Sequence, residues 1–448
     1  MEEPETDSES DAPLAPRTSL FGRCVRTIPP ALVIAWIALI FWNSAKPLPP
    51  GTHVVSQVSR LSDADVEFLF GSSHRPELGI REATAIERAE QLIVVDRSPV
   101  TRELAQRLLA RKRTRPNIKI VLVTDPANEA FGGTHAEFLA SLEQAGIIVA
   151  RVDIDRLRDS NPVYSAIWRL MLGWWSDPFD EAPGQVTLRS WSRKQNFKAN
   201  QRQLLVSDDG SGGWSAIVAP TGATAGLLLK GSLARAMIAS ELQIAKWSTD
   251  DDRLPAAAHV DGGGLGSIDA RFLTEGGIET GLLDAVAAAG RDDQINIAVG
   301  DMSHRPLIAA AIAAVWRGAH LRVLLSRNHL PNRSVADELL RDGGGRIEVR
   351  WSADEPDAPR LSLLAVRHRN DLWLNLSSAN FTRRNLDDLN LEAGVDLRMP
   401  LRAAPARAVL EYVDEIWSAA DSNPGIADQG AIAYWRYRFA EATGLSSF

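Results

Sequence analysis

The chain has 448 residues, 45% hydrophobic and 24% charged, which suits two domains or one large duplicated one and excludes a wholly disordered chain. Its formal net charge of −8 argues against a general nucleic-acid binder, whose footprint is basic. A single cysteine, Cys24, excludes an internal disulfide and a cysteine-type zinc site.

The amino terminus opens with a tail rich in Ser and Pro. Six of its first eleven residues are Glu or Asp, a composition that stays disordered. Arg17, Arg23 and Arg26 lead into an uncharged run, Ile28 to Trp42. Extended to Ala45, it reaches about 27 Å as helix, just under the roughly 30 Å hydrocarbon core of a bilayer. Pro29 and Pro30 stand where a helix tolerates them. The long acidic tail and the residues before Ala45 fit a cleaved signal peptide poorly. The expectation is one uncleaved transmembrane helix. Arginines before it and only Lys46 close behind it put residues 46–448 outside the cytoplasm.

The remainder alternates strand and helix patterns. Gln91–Asp96, Ile118–Thr124 and Gly146–Val152 are β-branched apolar runs. Between the first two, Leu104, Leu108 and Leu109 share a helical face across Val100–Arg111. The second half repeats this order: strand Gln294–Val299, helix Pro306–Arg317, strand His320–Leu325, helix Ser334–Leu340, strand Arg346–Trp351. An internal duplication follows, with a substantially parallel sheet in each half. The first half carries an extra segment, about Asp155–Pro183, with Trp168, Trp174 and Trp175. It reads as a packing or lid helix, or as an aromatic patch that touches membrane. The glycine run Asp261–Gly266 reads as the linker.

Each half ends in a hairpin. Gln201–Ser207 goes out, Asp208–Gly213 turns, and Trp214–Ala219 returns. In the second half Leu361–Arg367 goes out, His368–Asp371 turns, and Leu372–Leu376 returns. Asp208-Asp209 reads as a turn pair, His368 as a surface residue of its turn, and Lys198 as a solvated lysine.

Asn196–Asp208 resembles the first signature of the phospholipase D superfamily, and Ser377–Glu392 the stretch after the second. The likeness to bacterial cardiolipin-synthase-type phosphatidyltransferases runs over about residues 50–420. It implies two mixed, mostly parallel sheets related by a pseudo-twofold, and a His-x-Lys-x-x-x-x-Asp motif from each half. One histidine would attack phosphorus and the other protonate the leaving alcohol. The lysines, with a following Ser and Asn, would hold the phosphoryl oxygens.

The sequence departs from that motif. The first reads Gln201, Gln203, Asp208, with Pro220-Thr-Gly222 where the family has Ser and Asn. The second aligns at Leu361 and Leu363. None of the eight histidines is followed two positions later by lysine. Ser378 and Asn380 match their counterparts, and Arg383 and Arg384 follow at an expected helix start, where an anion or a capped first turn are both at home.

The expected architecture is an α/β duplicated phospholipase D-like fold. It comprises a tail over 1–27, an anchor over 28–45, a first half over 51–260 and a second half over 267–448. The expected function is a membrane-anchored protein with a degenerate site that binds a phospholipid headgroup or a protein partner. The rival is an active phosphatidyltransferase or phosphodiesterase with unconventional residues. No cofactor, metal or nucleic acid is implied. Gln201, Gln203, Asp208, Leu361 and Leu363 are the motif positions. Ser378, Asn380, Arg383 and Arg384 are the phosphate-binding candidates.

Overall fold

The computed structural model describes residues 30–70, 77–131, 136–171, 188–220, 224–256, 264–327, 330–352 and 361–422, with residues 186, 435, 438 and 439. The acidic tail, Trp174, Trp175, Thr221-Gly222 and the start of the glycine linker lie outside them.

Two sheets carry the fold. The first holds β2 (Val66–Phe70), β3 (Leu92–Asp96), β4 (Lys119–Thr124), β5 (Ile148–Arg151), β6 (Leu204–Asp208), β7 (Trp214–Val218) and β8 (Ala225–Lys230), in the order β2-β8-β7-β6-β3-β4-β5. The second holds β1 (Ser59–Leu61), β9 (Ile268–Thr274), β10 (Gln294–Val299), β11 (His320–Leu325), β12 (Ile347–Trp351), β13 (Ser362–His368), β14 (Asp371–Ser377) and β15 (Ala393–Pro400). Its order is β1-β9-β15-β14-β13-β10-β11-β12. Setting β1 aside, the two orders match strand for strand, so the duplication read in the sequence is present in the topology.

One expectation needs correction. The sheets are not mostly parallel: only β3-β4-β5 and β10-β11-β12 run parallel, and every other neighbour pair is antiparallel. Strands joined by tight turns, such as β6 to β7, must pair antiparallel, whereas parallel neighbours need a crossover helix. The strand-helix alternation that suggested parallel pairing covers only the leading part of each half. The outgoing strand of the first hairpin also starts later than expected, at Leu204, leaving residues 201–203 ahead of it.

Packing explains why the central strands are so apolar. β3 and β4 are buried over nearly their whole length, because both sheet faces are covered. One hydrophobic cluster runs from Val206 and Leu227 of the first sheet to Leu363, Leu374 and Leu397 of the second. The inner sheet faces and the helices Ser232–Ser248 and Ala404–Ala419 share that central layer. Two outer clusters, one per sheet, hold further helices, among them Arg102–Thr114 and Gly276–Ala288. The halves also exchange contacts: β1 joins the second sheet, and Tyr412 packs 5.6 and 5.5 Å from Phe68 and Phe70 of the first.

The amino-terminal apolar run forms a helix over Pro30–Ser44, 15 residues long. At about 22 Å it is shorter than the 28–45 span expected. Among the described residues, no helix is long and apolar enough to cross a membrane.

Candidate functional site

The halves enclose a cleft of about 600 Å³. Lys198 and Gln201 line it from the first half, and Leu361, Ser378, Asn380 and Arg384 from the second. Both hairpin starts therefore reach one cleft, the arrangement the duplicated motif requires. Among the described residues its wall carries no histidine and no cysteine.

The approach to β6 is stitched to the opposite half. Gln201 N–H donates to Leu391 O at 2.9 Å, and Leu391 N–H donates to Ala199 O at 3.0 Å. Ala199 N–H donates to Asn390 Oδ1 at 3.0 Å. This fixes Gln201 at the cleft floor, where its Oε1 accepts from Asn385 Nδ2 at 2.9 Å. Gln203 does not line the cleft. It is buried, and its Nε2 donates to Ser98 O at 2.6 Å. Leu361 and Leu363 are both buried in the central layer, and of the two only Leu361 also lines the cleft.

Asp208 has a structural task. Its carboxylate accepts the N–H groups of Glu90, Gln91 and Leu92 at 2.8–2.9 Å, pinning the turn before β3. His368 stands seven residues after Leu361, as Asp208 does after Gln201. In the second half Asp293 accepts Gly290 N–H at 2.8 Å before β10, and His368 Nδ1 bonds Asp293 at 2.7 Å. Asp209 accepts from Ser211 and Gly213 N–H groups, as a turn residue does.

The second half keeps the longer connection, residues 378–392, between β14 and β15, against 219–224 between β7 and β8. Ser378 Oγ donates to the Glu392 carboxyl and accepts Ala393 N–H at 3.1 Å. Asn385 Nδ2 also donates to Glu392. Glu392 is fully buried, and burial pushes its pKa up to about 8 against the pull of these donors. Asn380 exchanges two hydrogen bonds of 3.3 Å with Asp301, through Asp301 N–H and through the Asp301 carboxylate.

The two arginines part company. Arg384 lines the cleft, its guanidinium 5.7 Å from the Phe197 ring centroid. Arg383 points elsewhere, donating to Ser160 O at 2.9 Å and lining a separate hollow beside His304. The helix expected to begin here spans only Arg383–Leu386, and its cap Thr382 makes no side-chain capping bond. One short turn supplies little dipole for an anion.

Lys198 is not solvated. It is buried at the cleft edge, 2.6 Å from Asp159, with its Nζ donating to Leu157 O at 2.8 Å. Burial pulls its pKa down to about 8, against the upward pull of Asp159. A buried lysine must pair to remain charged, and the sequence did not reveal Asp159 as its partner.

Beneath Gln201 lies a charge cluster absent from the sequence reading. Arg202 is fully buried. It meets Glu241 at 2.7 Å, Glu275 of the second half at 2.7 Å, Ser240 Oγ at 3.0 Å and Gly51 O at 2.9 Å. Burial alone would lower its pKa, yet Glu275, Glu241 and Asp96 outweigh that and raise it. Asp96 sits beside it, its pKa raised by burial and then by Glu241.

Away from the cleft, Glu279, His304 and Asp387 bring three donor atoms close enough for a cation. His304 Nε2 lies 3.1 Å from Asp387 and 3.4 Å from Glu279. Their wide separation in sequence hid the group from motif reading.

No protein-family model matches the chain, and no curated protein matches it. Solved structures do. Phosphatidylserine synthase of Haemophilus influenzae matches at 12% identity, covering 93% of this chain and 99% of that one, with a TM-score of 0.58. Polyphosphate kinase of Porphyromonas gingivalis matches at 11% identity, covering 85% and 53%, with a TM-score of 0.48. Nuc, a phospholipase D family member of Salmonella typhimurium, matches at 17% identity over 34% of this chain and 96% of that one, with a TM-score of 0.28. At such identities the first likeness shows the fold, the duplicated phospholipase D-like fold expected from the sequence.

Proposed function

We propose that the chain is a membrane-attached phospholipase D-like protein that binds the phosphate of a phospholipid headgroup without turning it over. One observation carries the reading. The cleft carries Ser378, Asn380 and Arg384 on its second-half wall, and it is also lined by Gln201 and Leu361, the residues that the sequence aligns with the two acid–base groups. A carboxamide and an alkyl chain can neither attack phosphorus nor give up a proton. Gln201 is moreover tied to Asn385, so it serves as a strut. The full-length likeness to a phosphatidylserine synthase supports a lipid-type ligand.

The test uses purified full-length protein with phosphatidylglycerol and phosphatidylethanolamine vesicles, followed by mass spectrometry. Binding without product is expected. Product formed by the wild type and lost in Gln201→Ala would sink the reading in favour of unconventional catalysis.

A second expectation separates the neighbouring arginines. A hydrogen bond to a charged group contributes about 1.5–3 kcal/mol. Arg384→Ala should therefore weaken headgroup binding about tenfold or more, and Arg383→Ala should leave it nearly unchanged. Titration with a soluble short-chain phosphatidylglycerol reads the difference, and equal effects of both variants would count against this cleft.

A further inference from the structure

The helix Pro30–Ser44 carries no charged side chain, yet Ile34, Phe41 and Trp42 are each about two-thirds or more exposed. A helix apolar on all faces needs a cover. It is held to the body along one side. Trp36 Nε1 donates to Val163 O at 3.4 Å, and Asp159 N–H donates to Asn43 O at 3.0 Å. Those pairings run it antiparallel to the helix Pro162–Met171.

That second helix repeats the pattern. Its Trp168 and Ala166 are buried, while Val163, Ile167 and Met171, spaced four apart, are exposed. A third helix, Leu188–Lys194, is tied on by Tyr164 Oη, which donates to Ser192 O at 2.8 Å. It adds exposed Leu188 and Trp191. The same short helix ends at Lys194, which lines the cleft with its Nζ 4.0 Å from the Phe131 ring centroid. The apolar surface thus continues to the cleft rim.

We propose that these three helices form one platform that enters a single leaflet of a phospholipid bilayer and holds the cleft mouth at headgroup level. The proposal rests on the lipid reading of the cleft. Three observations favour a bilayer over a second copy of the chain. The first helix has no polar outer face, which a helix buried in a dimer would still need on its solvent side. Its length of about 22 Å matches part of a bilayer's depth and falls short of the roughly 30 Å needed to span it. Cations accompany the apolar helices: Arg17, Arg23 and Arg26 precede the first of them in sequence, and Lys194 ends the third at the cleft, complementary to anionic lipid.

The experiment keeps the full chain. In a Cys24→Ser background, Ile167→Cys is labelled with an environment-sensitive dye and mixed with phosphatidylglycerol/phosphatidylethanolamine vesicles. A blue shift and quenching by a lipid spin-labelled high on its acyl chain are expected. Separately, Ile167→Glu/Met171→Glu should weaken vesicle partitioning about tenfold or more, while binding of short-chain phosphatidylglycerol in the cleft stays unchanged. A dye that remains water-exposed on bound vesicles overturns the platform. So does a dye shielded without vesicles: a doubled mass then assigns the cover to a second copy, and a monomer assigns it to the chain's own segments. Loss of short-chain lipid binding in the wild type, with vesicle partitioning and dye insertion intact, would sink the cleft reading and leave the platform standing.

Discussion

Arg202→Leu is expected to destabilise the protein by about 3–5 kcal/mol, the usual cost of removing one partner from a buried ion pair. The guanidinium is fully buried and touches acids of both halves, Glu241 and Glu275. Its removal strands two carboxylates, with Asp96 already held above its ordinary pKa beside them. Glu275 also accepts the backbone N–H of Glu392 at 2.9 Å and of His53 at 2.8 Å, so the loss spreads to the cleft loop. Chemical denaturation checks the prediction. The triple variant Arg202→Leu/Glu275→Leu/Glu241→Leu is too severe a volume change, so the rescue is better built as the double variant Arg202→Met/Glu275→Gln. Relieving one stranded charge should recover part of the loss. A single variant within about 0.5 kcal/mol of wild type, the range of ordinary surface changes, would show that the cluster contributes little.

The duplication was legible because apolar runs and hairpin turns repeat in the same succession in both halves. β10 and β11 match their expected bounds residue for residue. The balance of parallel and antiparallel pairing was less legible, because apolar runs look alike whichever way the neighbour runs. Motif spacing led to Gln201, Leu361, Ser378 and Asn380, which the fold brings into one cleft. It did not separate Arg383 from Arg384, since adjacent residues diverge by about 100° on a helical turn. Nor did it find Arg202. A charged residue between two motif positions of a core segment was the available signal, because a charge buried there needs acids. Its acids come from positions 241 and 275, far beyond any local pattern. Asp293 escaped for the same reason, as the His368 ring that it bonds stands far from it in sequence.

Glu392→Gln is expected to flatten part of the pH dependence of stability. Glu392 titrates near 8 in the folded protein, against an ordinary 4.5, chiefly because burial disfavours its anion. The folded chain therefore keeps a proton that the unfolded chain has already released. The stability due to that proton is fully present below about pH 4.5 and is lost as pH rises through about 8. At about 1.4 kcal/mol per unit of pKa difference, the total is at most about 5 kcal/mol. Asp125, Glu275 and Asp396 are shifted upward by burial in the same direction, so the variant should remove one contribution and leave a slope. Glutamine keeps the shape and carries no charge to desolvate, and Ser378 can turn its hydroxyl to accept from the new amide. Urea denaturation at pH 5 and pH 8 on both proteins measures the effect. The variant should gain on wild type as pH rises, by a few kcal/mol. Parallel curves would mean that Glu392 is already ionised at pH 5 and that its neighbours, Ser378 and Asn385, stabilise the anion more than burial opposes it.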